Sequence, residues 1–228
     1  MRSILLLVCA LFLLTCAVAC RDSSAAAITE TKIAAKLPTD SIWVGNVIGY
    51  SLVIPESFVN WKGMNVMGGN GHQGYIKPLT GTLTINANGS VEGGYFELDM
   101  NTITTTDKKD TSSDNGLISH LKDPDFFDVK KYPRGRFKLI NAIKVSGDSS
   151  FNITGQLTLR GITQEIHFPA TIVRDGEDLV AMASLSIDRT KWGITYKSGS
   201  VIALVKDELL EDLVQVSLAL RFQQKRGC

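Results

Sequence analysis

The chain has 228 residues, 21% of them charged, with 24 Lys and Arg against 23 Asp and Glu and a formal net charge of +1 at pH 7. That balance excludes steering toward polyanions, because phosphate binding requires a local excess of Lys and Arg, and basic residues here never run longer than pairs such as Lys225-Arg226. Nucleic acid is therefore not an expected partner.

The N-terminus carries Arg2, an apolar run from Ile4 to Leu14 and then small residues, which is the pattern of an export signal. The run is shorter than the roughly 20 apolar residues of a membrane-spanning helix. Ala17-Val18-Ala19 directly before Cys20 reads as the cleavage site, so residues 1–19 are expected to leave, taking Arg2 with them and making the remaining chain formally neutral. A cysteine at the first position after cleavage resembles the lipobox of bacterial lipoproteins, although leucine is more usual where Ala17 stands. On that reading Cys20 is acylated and anchors the exported protein to a membrane in the bacterial cell envelope or periplasm. Plain secretion with a free Cys20 thiol is the alternative.

Cys9 and Cys16 leave with the signal, so only Cys228 accompanies Cys20 and no intrachain disulfide framework can form. A free Cys228 allows a linked homodimer. Stability must come from a buried core, and the chain is long enough for one sizeable domain. Residues 20–40, rich in Ala, Ser and Thr, read as a tether, and residues 41–228 as the domain.

Within that domain the dominant signal is alternation of period two, the mark of half-buried strands. Phe96, Leu98 and Met100 alternate with Tyr95, Glu97 and Asp99. Leu157 and Leu159 alternate with Gln156, Thr158 and Arg160, and Leu185 and Ile187 with Ser184, Ser186 and Asp188. The clearest case closes the chain: Val214, Val216, Leu218, Leu220 and Phe222 face one way, Gln215, Ser217, Ala219 and Arg221 the other. Asn88-Gly89, Gly147-Asp148, Arg160-Gly161 and Asp175-Gly176 supply tight reversals between these runs. The fold class is all-β: about eight antiparallel strands with a single helical interruption between Asp107 and Pro133, closing as a barrel or packing as a sandwich. An eight-stranded barrel is just wide enough for one elongated ligand, or else for side chains alone.

The interruption contains SHLKDPDFFDVKKYP, residues 119–133. Asp114 is placed to cap a short helix bearing Leu117, Ile118 and Leu121, and Asp123-Pro124 opens a second helical turn with Phe126 and Val129 on one face. His120, Asp123, Asp125 and Asp128 could instead serve a metal or acid/base chemistry. Each aspartate has a local task, however: Asp123 as cap, Asp125 in the first turn, and Asp128 beside Lys130 and Lys131. No second cluster completes a ligand set, so neither a metal nor a cofactor is expected.

Three further motifs fail on context. Gly69-Asn70-Gly71-His72-Gln73-Gly74 matches a dinucleotide fingerprint by letter, but a strand follows it rather than a helix. Gly89-Ser90-Val91-Glu92-Gly93 has a misplaced serine for a hydrolase elbow, and Lys206-Asp207-Glu208-Leu209 is not C-terminal. Asp188-Arg189-Thr190-Lys191-Trp192-Gly193, after a strand, reads either as a salt-bridged aromatic plug or as a barrel mouth where Arg189 and Trp192 meet a polar head group.

Taken together, SHLKDPDFFDVKKYP followed by RGRFKLI, then GQLTLRGITQEIHFPA and LSIDRTKWGITY, resemble the YceI-like family of exported bacterial proteins, with NWKGMNVMGGNGHQGYI and GGYFELDMNTIT in support. The resemblance runs from about Trp61 to Phe222. It implies a lipocalin-like barrel holding a long amphiphile, a polyisoprenoid or fatty-acid derivative, with no enzymatic reaction. The stretch Ile42 to Pro55 departs from the family pattern and leaves the first strand open. The expected lipid-facing residues are then the dry faces of successive strands: Phe96 and Leu98, Phe137 and Leu139, and Phe151, Ile153, Leu157 and Leu159 on the earlier ones. Leu185, Ile187, Val216, Leu218 and Leu220 follow on the later ones. The competing reading is an enzyme at His120, Asp125 and Asp128, and a third is a ligand-free structural module.

Overall fold

Each run of period-two alternation forms a strand, and short turns keep neighbours in sequence beside one another. The computed structural model describes residues 47–66, 71–107, 116–147, 149–199 and 209–225. The expected signal, Cys20, the tether, Asp114 and Cys228 lie outside the described residues.

The strands are β1 (Val47–Leu52), β2 (Phe58–Met64), β3 (Gly71–Asn86), β4 (Val91–Thr105), β5 (Arg134–Ser146), β6 (Ser150–Leu159), β7 (Ile162–Asp175), β8 (Asp178–Asp188) and β9 (Leu213–Gln224). One helix, α1 (Gly116–Lys122), lies between β4 and β5. Every pairing between these strands is antiparallel, and from β2 to β9 each strand pairs with the next. The sheet then closes, because β9 pairs back with both β1 and β2.

Nine strands here occupy eight positions around the barrel. β1 and β2 lie end to end between the same two neighbours: β1 pairs with Thr82–Asn86 of β3 and Phe222–Gln224 of β9, and β2 with Gly71–Ile76 and Gln215–Ala219. The chain leaves the sheet between them in a single 3-10 turn, Ile54–Glu56, with Pro in its first turn. Arg221 spans the break. Its carbonyl accepts from Val53 N–H at 2.8 Å and its N–H donates to Ser57 Oγ at 3.0 Å. Its guanidinium pairs with Glu56 and Asp178, each at 3.0 Å, and with Asp175, and these carboxylates raise its pKa.

The far end of the barrel is closed by the anticipated tight turns, in which Gly89, Gly147 and Gly176 take φ of 79°, 59° and 64°. At the opposite end Arg160 and Gly161 turn β6 into β7 with φ of 50° and 73°, a pair of left-handed residues that suits a twisted hairpin. That end also receives the two long connections, β4 to β5 through α1 and β8 to β9 through the 3-10 turn Arg189–Trp192. Gly71 to Gly74 begin β3, so no helix N-terminus stands behind the glycine motif.

Inward residues form one core along the barrel axis, including Tyr50, Val59, Ile76, Leu83, Leu98, Met100, Phe137, Ile153, Leu220 and Phe222. Gly74 shows how tightly the wall is built. A Cβ there would overlap the Thr104 carbonyl, at the bulge where the β3–β4 register shifts, whereas Gly63 on β2 has nothing within 4 Å. Gly74→Ala is therefore expected to cost about 3 kcal/mol, since the obstacle is backbone, and Gly63→Ala under about 1 kcal/mol, as read by urea unfolding of the two variants.

Candidate functional site

The inward faces do not fill the barrel. A cavity of about 180 Å3 lies toward the α1 end, and a second of about 70 Å3 toward the far end. Both walls are overwhelmingly apolar. The first is lined by Val59, Trp61 and Ile76, by Leu98 and Met100, by Leu157, Leu159, Ile166, Leu185 and Ile187, and by Val214 and Val216. The second is lined by Leu83, Leu139, Ile153, Ile172, Leu220 and Phe222 among others.

Four residues belong to both walls: Phe96, Phe137, Phe168 and Leu218. Phe96 and Phe137 face each other across the β4–β5 ladder and stack at 5.3 Å and 27°, and Phe168 leans on Phe137 at 5.8 Å and 57°. This aromatic layer crosses the lumen between the two cavities.

Of the lining expected from period two, Phe96, Leu98, Phe137, Leu157, Leu159, Leu185, Ile187, Val216 and Leu218 line the first cavity. Leu139, Ile153 and Leu220 line the second. Phe151 is the exception. It is 3% exposed and packs in the core near the far end, with Lys144 Nζ 6.0 Å from its ring, and lines neither cavity. Its phase is inward as expected, but its side chain packs into the core beside the second cavity, whose wall includes its ladder partner Ala170. Ile166 and Phe168 were missed although they alternate with Glu165 and His167, as were Val59 and Trp61 on β2 although they alternate with Asn60 and Lys62.

The first cavity has one polar end, where Asn65, His72, Arg189 and Glu211 join the wall. His72 Nδ1 lies 2.9 Å from Asp107 Oδ2. Burial alone pushes the Asp107 carboxyl up, but hydrogen bonds from His72, Thr105 and the Gln73 backbone outweigh it and hold the group below the usual carboxylate range.

The SHLKDPDFFDVKKYP segment covers this end. Leu117 and Leu121 of α1 reach the cavity together with Phe126 and Phe127, and Val129 is buried beneath. The second helix expected at Asp123-Pro124 is a run of turns: Phe126 and Asp128 N–H donate to the Asp123 carbonyl, and Lys131 and Tyr132 N–H to that of Asp128, which has φ of 46°. The left-handed Asp128 prevents the turns from continuing as a helix. His120 packs edge-on against Phe126 at 4.9 Å and Tyr196 at 4.5 Å, with Asp125 Oδ2 3.8 Å from its Nε2. Among the described residues no group of three or more His, Cys, Asp or Glu could hold a metal.

Arg189 and Trp192 are fixed to the protein itself, which corrects the expectation that they meet a head group. Arg189 Nε donates to the Glu211 carbonyl at 3.1 Å, and Nη1 to those of Ile194 and Tyr196 at 2.9 and 2.8 Å. Nη2 donates to the Leu210 carbonyl and to Asp212 Oδ1, both at 3.3 Å. All five guanidinium N–H groups are thus spent on the β8–β9 connection. Burial lowers the Arg189 pKa, opposed by Asp212 and Asp188. Trp192 is 1% exposed and its Nε1 donates to the Leu157 carbonyl at 3.1 Å. The plug is the reading that the geometry fits.

With a closed barrel, a helical cover and an apolar lumen established, comparison with known proteins is decisive: the profile of the YceI-like domain matches residues 50–222. The chain belongs to the YceI-like family. A UPF0312 protein of Pseudomonas putida (strain W619) is 31% identical over 123 residues, 54% of this chain and 60% of that protein. The chain thus spans about three-fifths of the relative's length in that match. A UPF0312 protein of Pseudomonas savastanoi pv. phaseolicola is 41% identical over 59 residues, 26% of this chain and 30% of that one. Among solved structures, Burkholderia cenocepacia BcnA superposes with a TM-score of 0.61 at 20% identity, covering 75% of this chain and 98% of its own. A polyisoprenoid binding domain from Saccharophagus degradans, implicated in plant cell wall breakdown, gives 0.56 at 14% identity, over 77% of this chain and 98% of that domain. At those identities the shared property is the fold.

Because Arg189 holds carbonyls from two separate loops, its removal leaves several buried acceptors unpaired in this YceI-like barrel. Arg189→Ala is expected to cost about 3 kcal/mol or more. Arg189→Lys should recover little of it, since an ammonium cannot fan donors in five directions. Thermal unfolding of both variants checks this.

Proposed function

We propose that this YceI-like barrel sequesters or carries one long amphiphile, a polyisoprenoid or fatty-acid derivative, held non-covalently and without a cofactor. The observation that carries the reading is the first cavity: apolar walls inside a closed barrel, with polar side chains gathered at one end. Burying apolar chain there gains roughly 25 cal/mol per Å2, reduced by the cost of ordering the chain. A tail along the axis and a head at the end with Asn65, His72 and Glu211 match that distribution. The polyisoprenoid binding domain of the Saccharophagus degradans protein, which shares the fold, supports the same ligand class.

The proposal extends to location. On it the barrel is exported to the bacterial envelope and tethered to a membrane through an acyl anchor and residues 20–40, a reading supported by the export-signal pattern of residues 1–19 and the lipobox-like Cys20. Such a tether keeps a lipid carrier beside the membrane that supplies its cargo.

Organic extraction of the purified protein followed by mass spectrometry is expected to yield a stoichiometric long-chain lipid. Leu185→Trp, which fills the cavity from β8, should leave the fold intact by circular dichroism and abolish that lipid. A folded wild-type protein that yields none and takes up none would favour a ligand-free structural module. Separately, Cys20→Ala in the full-length precursor is expected to move the protein from the membrane to the soluble fraction, and unchanged fractionation would refute the anchor.

A further inference from the structure

The lumen is one barrel but two chambers, and the layer between them is built mainly of aromatic rings. Phe96, Phe137, Phe168 and Leu218 come from β4, β5, β7 and β9 and line both cavities. Phe137 holds the centre, stacked on Phe96 at 5.3 Å and against Phe168 at 5.8 Å. Its ring occupies space that only a glycine leaves, for a Cβ at Gly155 would overlap Phe137 Cε2 and Cζ.

The far chamber is about 70 Å3, lined by Leu83, Leu139, Ile153, Ala170 and Ala181, and as apolar as the first. Small side chains at Gly94, Ala170, Ala181 and Ala183 keep it open where larger ones would close it. The end of a flexible chain reaches it by displacing the side chains of the shared layer.

We propose that Phe137, seated between Phe96 and Phe168, is the length-selecting gate of the barrel. A tail short enough for the first chamber ends against the ring and leaves it in place. A longer tail must turn the ring aside to enter the far chamber. This rests on the lipid-binding reading above and adds to it the residue that sets which chain lengths are held.

The test is a series of saturated fatty acids from decanoate to tetracosanoate, bound to the delipidated protein and followed by titration calorimetry. Affinity should rise about fourfold per added methylene while the first chamber fills, then level off where the tail meets Phe137. In Phe137→Ala the rise should continue for a few methylenes past the wild-type break, and the position of the break, not the absolute affinity, is the readout, because Phe137 also lines the first chamber. Should Phe137→Ala not fold, Phe137→Leu keeps apolar volume, removes the stacked ring and carries the same expectation. A break at the same chain length in wild type and variant, or no break in wild type, overturns the gate and leaves lipid binding standing. Failure of every acid to bind wild type overturns the gate, and if organic extraction also yields no lipid it overturns the reading on which the gate rests.

Discussion

Closure of the sheet on itself is the constraint from which the other features follow. Once β9 pairs back onto β1 and β2, alternation has only two meanings, lumen or solvent, and every apolar phase is sent to the same interior. An open sheet of these strands would expose two unpaired edges and need a second layer to cover its dry face. The seam is also where the ladder is weakest, because the chain leaves it between Leu52 and Phe58. Arg221 restores it, with main-chain bonds to Val53 and Ser57 and a guanidinium shared among Glu56, Asp175 and Asp178.

Much of this was legible before any coordinates. The strands from β4 onward announce themselves because turn glycines bound them and the apolar phase is unbroken, and the same phase names most of the cavity wall. What period two does not encode is which inward side chains border open space, which is why Phe151 faces inward as anticipated and yet packs into the core beside the second cavity. The first strand was obscure because Val53–Ser57 interrupts it with one 3-10 turn and no paired turn residues. The count of eight nevertheless held, as β1 and β2 share one position.

Side chains whose partners are distant main-chain atoms were the least legible. Arg189 in sequence stands beside Asp188 and Trp192, a grouping that suits a ligand contact as well as a plug. Its partners are carbonyls at Ile194, Tyr196, Leu210 and Glu211, and nothing in those letters marks an acceptor. His120 and its neighbouring aspartates have the opposite character. Their apparent cluster comes from sequence proximity, and the fold spreads it into an aromatic contact with Tyr196 and a left-handed turn at Asp128.

The division of one barrel position between two strands gives the wall two panels at different depths. β1 borders the far half of the lumen, through Thr82–Asn86 and Phe222–Gln224, while β2 borders the half nearer α1. A substitution on β1 therefore reshapes the deep end and one on β2 the mouth, with Arg221 as the rivet that joins the two panels at the detour.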